Sequence, residues 1–239
     1  MSDLHLDSLP SLDALVIAPH PDDAELGAGG GILRMRSEGL RVGVLDLTSG
    51  EPTPHGTPEI RQAETEAATR VLDLDWRGNL GLPNRCLEAT LEARAALAGV
   101  VRSLRPRWLF APFWEDAHPD HVAATQLIEA ARFWSKLTKS DLPGPPHHPQ
   151  RIYYYYCVHL KLAPQPAFVL DISEYWETKQ QAIACFQSQF VTGREAVRPT
   201  CLERIRDEAA YWGKAIGTAY GEPYASREPL GVTGFRSFI

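Results

Sequence analysis

Short apolar runs alternate with helix-period segments along most of the chain, starting near residue 14. "ALVIAPH" (14–20) has strand length, and "ELGAGGGILRMRSEG" (25–39) behind it carries apolar residues at helical spacing, with Gly39 as a stop. The pattern then repeats. "RVGVLDLTS" (41–49) predicts a second strand, and "TPEIRQAETEAATRVL" (57–72) predicts a helix whose Thr57, Pro58 and Glu59 stand in the order of a helix start. "DWRGNL" (75–80) is a thin third strand, "LEATLEARAALAGVVRSLR" (87–105) a helix, "RWLFAPF" (107–113) a fourth strand and "HPDHVAATQLIEAARFWSKL" (118–137) the helix after it. Beyond the Pro-rich loop 141–150, "RIYYYYCVHL" (151–160) and "AFVLDIS" (167–173) are expected as later strands, and 174–190 and 201–220 as closing helices. Residues 1–13 are an N-terminal extension, and 221–239 are expected as an irregular tail that covers a cleft or a neighbour.

Strands alternating with helices specify a mostly parallel sheet covered on both faces, a Rossmann-like α/β architecture in which ligands bind beyond the carboxyl ends of the strands. With 239 residues there is material for one substantial core, so a single domain over 1–239 is expected. Apolar residues at 44% and charged residues at 23% match an ordinary folded domain. A net charge of −6 gives no broad positive field, which excludes nucleic acid and anionic membrane surfaces as expected partners and favours a small molecule. No stretch reaches the roughly 18 to 20 apolar residues of a membrane span. The acidic start "MSDLHLDSLPSLDA" lacks the features of a secretory signal. Cys86, Cys157, Cys185 and Cys201 are far apart and read as thiols of a reducing compartment, so a cytoplasmic location is expected.

The chemistry concentrates in "PHPDDAELGAGGG" (19–31) and "DAHPDH" (116–121). A dinucleotide fingerprint begun at Gly27 and Gly29 would need its third glycine at Ile32, and the carboxylates at 22, 23 and 25 would repel a phosphate. Glycines 27 to 31 are better read as letting the first helix press on the sheet or leaving room for a ligand. His20 and Asp23 can aim a nitrogen and an oxygen at one point, and a second His-Pro-Asp group at the end of another strand can converge on it. Three mixed N/O ligands with an open position is the catalytic zinc pattern, and the same donors accept ferrous iron. Bound water then approaches a pKa of about 7, and Asp22 is the natural general base. A histidine of the second cluster not used on metal is available to a developing oxyanion.

These two signatures resemble the zinc-dependent N-acetylglucosamine deacetylases of the PIG-L/LmbE family. "DLTSGEPTPHGTPEIR", "RIYYYYCVHL", "PAFVLDIS", "FQSQF" and "YWGKAIGTAYGEPY" further resemble its bacillithiol-pathway branch, which deacetylates N-acetylglucosaminyl-malate, so the likeness runs from about residue 14 to 225. The resemblance implies that His20, Asp23 and His121 hold the metal and that Asp22 is the base. It implies that His118 stabilises the oxyanion and protonates the leaving amine, that Asp120 orients and charges His118, and that Arg61 contacts substrate at the malate carboxylate. It also implies a homo-oligomer, trimeric or hexameric. One departure is Ala117, where that branch often has a basic residue; it bears on the aglycone, with inositol and chitobiose conjugates as alternatives.

Other readings compete at single positions. An isolated His-Pro-Asp-Asp is often a capping turn, and a non-catalytic nucleotide-binding module is the rival from another class. Arg61 could instead pair with Glu64 or Glu66 on its helix face, and Glu25 is a first-turn acid that favours the helix dipole. The run 153–156 reads as strand core, and His55, His147, His148 and His159 as loop or surface histidines.

Overall fold

The structure is a computed structural model and describes residues 9–160 and 164–231. Seven strands form one sheet: β1 (Ala14–Ala18), β2 (Val42–Thr48), β3 (Trp76–Leu82), β4 (Trp108–Pro112), β5 (Arg151–Tyr155), β6 (Phe168–Asp171) and β7 (Gly221–Ala225). Their spatial order is β3-β2-β1-β4-β5-β7-β6. The first five pair in parallel, and β7 runs antiparallel to both β5 and β6. The helices are α1 (Asp23–Ser37), α2 (Pro58–Val71), α3 (Leu91–Leu104), α4 (Pro119–Ser135), α5 (Trp176–Ala184), α6 (Gln187–Phe190) and α7 (Cys201–Ile216). Thr57, Thr90 and Thr200 each cap a helix with a side-chain oxygen, as the sequence order at Thr57 predicts.

Alternation along each strand divides the core between the two faces. Leu15 and Ile17 of β1 pack with Leu97, Val101, Leu127 and Ile128 of α3 and α4. Ala14, Val16 and Ala18 face Ala28 and Ile32 of α1 instead. Glycines in α1 let that helix sit close. A Cβ at Gly27 would strike the Tyr155 ring, one at Gly30 would come within 2.5 Å of Ile172, and one at Gly31 would meet the Tyr224 hydroxyl. The run serves packing, and no ligand is needed to explain it. Backbone N–H groups of Gly30 and Gly31 also donate to Glu222 of β7 at 2.9 and 2.7 Å.

Three expectations change. Residues 221–225 are a paired strand rather than irregular tail, because antiparallel neighbours on both sides accept a segment containing Gly221 and Pro223; residues 232–239 lie outside the described residues. The strand expected over 151–160 stops at Tyr155, where its partner β4 ends at Pro112, which frees 156–160 as a loop. Glu25, fully buried, does more than favour a helix dipole: it accepts from Arg77 at 2.5 Å, while the same guanidinium grips Asp46 at 2.9 and 3.0 Å. Among the described residues no helix is long and apolar enough to cross a membrane.

Candidate metal centre and its cavity

Strand order reverses between β1 and β4, and a sheet of this kind leaves a crevice there, beyond the carboxyl ends of the strands. The loop leaving β1 and the start of α1 carry His20, Asp22 and Asp23 to that crevice, and the loop leaving β4 and the first turn of α4 carry Asp116, His118, Asp120 and His121. His20 Nδ1 lies 3.1 Å from Asp23 Oδ2, and His121 Nε2 lies 3.3 Å from the same oxygen. One donor atom from each of the three residues falls within 4.8 Å of the others. Metal–ligand bonds of about 2.0–2.2 Å at tetrahedral angles space donors roughly 3.4 Å apart, so this set fits a small divalent cation.

Each histidine has a carboxylate behind its other nitrogen. His20 Nε2 lies 3.3 Å from Asp120 Oδ2, and His121 Nδ1 lies 3.3 Å from Asp116 Oδ2. The second contact is misaligned for a hydrogen bond and leaves both buried atoms without a partner. Such carboxylate–histidine pairs orient imidazoles at metal sites and raise their basicity. Burial opposes charge on His121, but Asp23 and Asp116 outweigh it and its pKa is raised. Burial likewise opposes charge on His20, and Asp23 raises it. Burial pushes Asp23 up, but His121 and His20 hold its carboxyl well below the usual range. Protons on the two imidazoles and a cation therefore compete for the same place beside the Asp23 carboxylate.

Asp22 stands next to this set on strained backbone, with φ at 109°. Its side chain caps nothing in α1; Oδ2 accepts from Arg61 Nη2 at 2.8 Å, and that nitrogen also donates to the Pro21 carbonyl. Burial pushes the Asp22 carboxyl up to about 7, against the pull of Arg61. Arg61, only 4% exposed, thus serves neither Glu64 nor Glu66; Glu64 instead accepts from Ser188. The Arg61 Nε and Nη1 groups remain without partners.

His118 caps α4: its Nδ1 accepts from the Asp120 backbone N–H at 3.2 Å. A neutral ring with Nδ1 accepting carries its proton on Nε2. Burial, together with the neighbouring His121 and His20, lowers its pKa. Among the described residues the Asp120 side chain makes no hydrogen bond to His118, although its charge raises the His118 pKa against the burial that lowers it. Placed in the first turn of α4, it faces His20 and accepts the backbone N–H of Arg85 at 2.8 Å and of Leu87 at 3.3 Å. His159, expected at the surface, lies in the site with its ring 5.6 Å from His118 and 5.7 Å from His121. Its signal was hidden by the overlong strand, whereas Asp116 stood legibly inside "DAHPDH".

These groups floor an open cavity of about 450 Å³, walled by Thr53, Gln189, Phe190, Arg194 and Arg204 among others. That volume lies in the range of small-molecule sites.

The family described as GlcNAc-PI de-N-acetylase, PIG-L, matches residues 15–132, which hold both clusters. The diacetylchitobiose deacetylase of Thermococcus kodakarensis is 31% identical over 223 residues, covering 87% of this chain and 80% of that one. A probable N-acetyl-α-D-glucosaminyl L-malate deacetylase of Bacillus anthracis is 26% identical, covering 74% of this chain and 81% of its own. The crystal structure of a conserved protein from Thermus thermophilus superposes with a TM-score of 0.86 at 41% identity, covering 94% of this chain and 98% of that one. With its fold, its two acidic histidine clusters and a relative of this identity and coverage, the chain belongs to the PIG-L family of deacetylases.

Proposed function

We propose that this protein is a zinc-dependent hydrolase that removes the acetyl group from an N-acetylglucosamine conjugate, with N-acetylglucosaminyl-malate as the conjugate. The observation that carries the reading is Asp22, buried beside a three-residue donor set and held by Arg61. A divalent cation on His20, Asp23 and His121 would polarise the acetamide carbonyl and acidify a water molecule. Asp22 would accept the proton of the attacking water, and Arg61 fixes the direction of its carboxylate. His118 presents Nε2–H to the oxygen on which charge develops, and the proton that Asp22 has accepted is the one available to the departing nitrogen. Acetate and a free amine leave, and one water is consumed.

The Thermococcus relative favours a second conjugate, diacetylchitobiose. Incubating the zinc-loaded protein with N-acetylglucosaminyl-malate, N-acetylglucosaminyl-inositol and diacetylchitobiose, and measuring amine release, separates these readings. Asp22→Asn is expected to retain metal and lose about 10²- to 10⁴-fold in turnover, the range of a positioned base. His121→Ala is expected to lose the metal itself. Equal metal loss in both variants, or no amine from any conjugate, would remove the assignment.

A further inference from the structure

A third loop opens at the same edge of the sheet. β5 pairs in parallel with β4 as far as Pro112 and Tyr155, so the chain leaving it emerges beside the loop that carries His118 and His121. A turn there, closed by the Leu160 N–H on the Cys157 carbonyl at 3.1 Å, puts His159 on the cavity wall. Its ring stands 5.6 Å from that of His118 and 5.7 Å from that of His121, yet no group of donor atoms gathered closely enough for a cation includes it. The other histidines of the cavity are engaged. His20 lies between Asp23 and Asp120, His121 lies between Asp23 and Asp116, and His118 accepts from the Asp120 N–H. Of these four, His159 alone makes neither an ion pair nor a hydrogen bond among the described residues, and it is exposed. An imidazole in that position is satisfied by water and can exchange that water for a substrate group.

We infer that His159 positions the sugar by hydrogen bonding to the hydroxyl beside its acetamido group, the 3-hydroxyl. The inference rests on the deacetylase reading and adds to it a contact that determines specificity. Strand order supplies the direction: β1 delivers Asp22, β4 delivers His118 and His121, and β5 delivers His159, so Asp22 and His159 stand on opposite sides of the β4 histidines. With the acetyl carbonyl at His118 and the attacking water at Asp22, the side toward β5 is left for the sugar ring. Two substituents adjoin the acetamido carbon of that ring. One is the glycosidic oxygen, whose aglycone needs the open part of the cavity, and the other is the 3-hydroxyl, small enough for a place flanked by two imidazoles. A neutral imidazole has one donor and one acceptor nitrogen, the same two roles that a hydroxyl offers. The contact reads the sugar and is indifferent to the aglycone.

The test is a double-mutant cycle on the zinc-loaded protein, His159→Ala against removal of the 3-hydroxyl from whichever conjugate the wild type turns over. Zinc content and melting temperature should be those of the wild type, because the ring belongs to no donor set. On the intact conjugate His159→Ala should lower kcat/KM about tenfold, the worth of one substrate hydrogen bond. The wild type should lose the same factor on the 3-deoxy conjugate, and the variant should turn over both conjugates within about twofold of each other. His159→Gln keeps a donor and an acceptor and should recover part of the loss. Calorimetric titration of N-acetylglucosamine and its 3-deoxy form into zinc-loaded Asp22→Asn protein, with and without His159→Ala, reads the same contact without turnover. Losses that simply multiply in the cycle, or zinc loss in His159→Ala, would overturn the inference. So would equal binding of the two sugars, or binding of neither, by the protein that retains His159. Absence of all deacetylation would sink the activity while the titration still decided the role of His159.

Discussion

Replacing Asp120 by Asn should weaken metal binding although Asp120 lies outside the His20, Asp23 and His121 donor set proposed for the metal. Its carboxylate has three tasks: Oδ2 accepts from the Arg85 N–H at 2.8 Å and faces His20 Nε2 at 3.3 Å, while Oδ1 accepts from the Leu87 N–H at 3.3 Å. An asparagine has one acceptor oxygen, so whichever way it turns, its NH₂ confronts at least one of these N–H groups. Two costs follow. A buried N–H left unsatisfied costs about 1–3 kcal/mol of folding stability. His20 also loses the charge behind its ring, and outer-shell partners of this kind are typically worth about 10- to 100-fold in metal affinity, or roughly 1.4–2.8 kcal/mol. Competition against a chromophoric chelator measures the affinity, and thermal unfolding of the metal-free protein measures the first cost separately. Unchanged zinc affinity in Asp120→Asn, alongside its loss in His20→Ala, would show that Asp23 alone orients His20 and would refute the reasoning.

Two more predictions concern stability. At Asp22, φ is 109°, a value that glycine adopts freely and side chains resist. Asp22→Gly should therefore melt higher than Asp22→Ala by about 1 kcal/mol of unfolding free energy, both being inactive; equal stability would mean the backbone there is not strained. At the far edge, the Arg132 bond holds the Glu228 carboxyl below its ordinary value of 4.5, at an N···O distance of 2.8 Å. Because the folded pKa is the lower one, its contribution is present above the unfolded pKa and disappears as pH falls through the folded value. Wild type should exceed Glu228→Gln by about 0.5 kcal/mol at neutral pH, given that the side chain is 47% exposed, and the gap should close below pH 4.5. A gap that persisted in acid would point to packing instead.

The elements legible in the sequence are those whose signals are local. The apolar run 14–18, the Thr57–Pro58 start of α2 and the cluster "HPDH" at the head of α4 each announce their structure within a few residues. What escaped depends on partners remote in the chain. Glu25 looks like a helix-dipole acid until Arg77, 52 residues later, arrives on β3 to pair with it. Asp120 looks like a partner of His118, two residues away, but the first turn of α4 aims it at His20, 100 residues away. "GEPYA" carries too much glycine and proline to be read as a strand, and becomes one because β5 and β6 pair with it on both sides. His159 was missed for a related reason: how far β5 runs is decided by the length of β4.

The same remoteness explains why two clusters nearly a hundred residues apart can share one oxygen of Asp23. β1 and β4 are parallel neighbours, so their following loops emerge at one edge, and the distance between the loops is set by the sheet. The sheet does not set the position of Asp23 itself, which rides on the first turn of α1. That helix is seated by contacts at its glycines, by Tyr155 at Gly27, Ile172 at Gly30 and Tyr224 with Glu222 at Gly31. Tyr155 in turn donates its hydroxyl to the Ile17 carbonyl of β1 at 3.0 Å, and Glu222 is held by Lys179 at 2.6 Å. An added methyl at any of these glycines must displace a buried ring, a branched side chain or an ion pair, and overpacking of that kind typically costs about 1–3 kcal/mol. If α1 moves to relieve it, Asp23 moves away from His121, to which it is bound only through a 3.3 Å contact. The glycine run behind the first cluster thus acts at a distance from the chemistry. It contributes no ligand, and it fixes where the shared carboxylate stands.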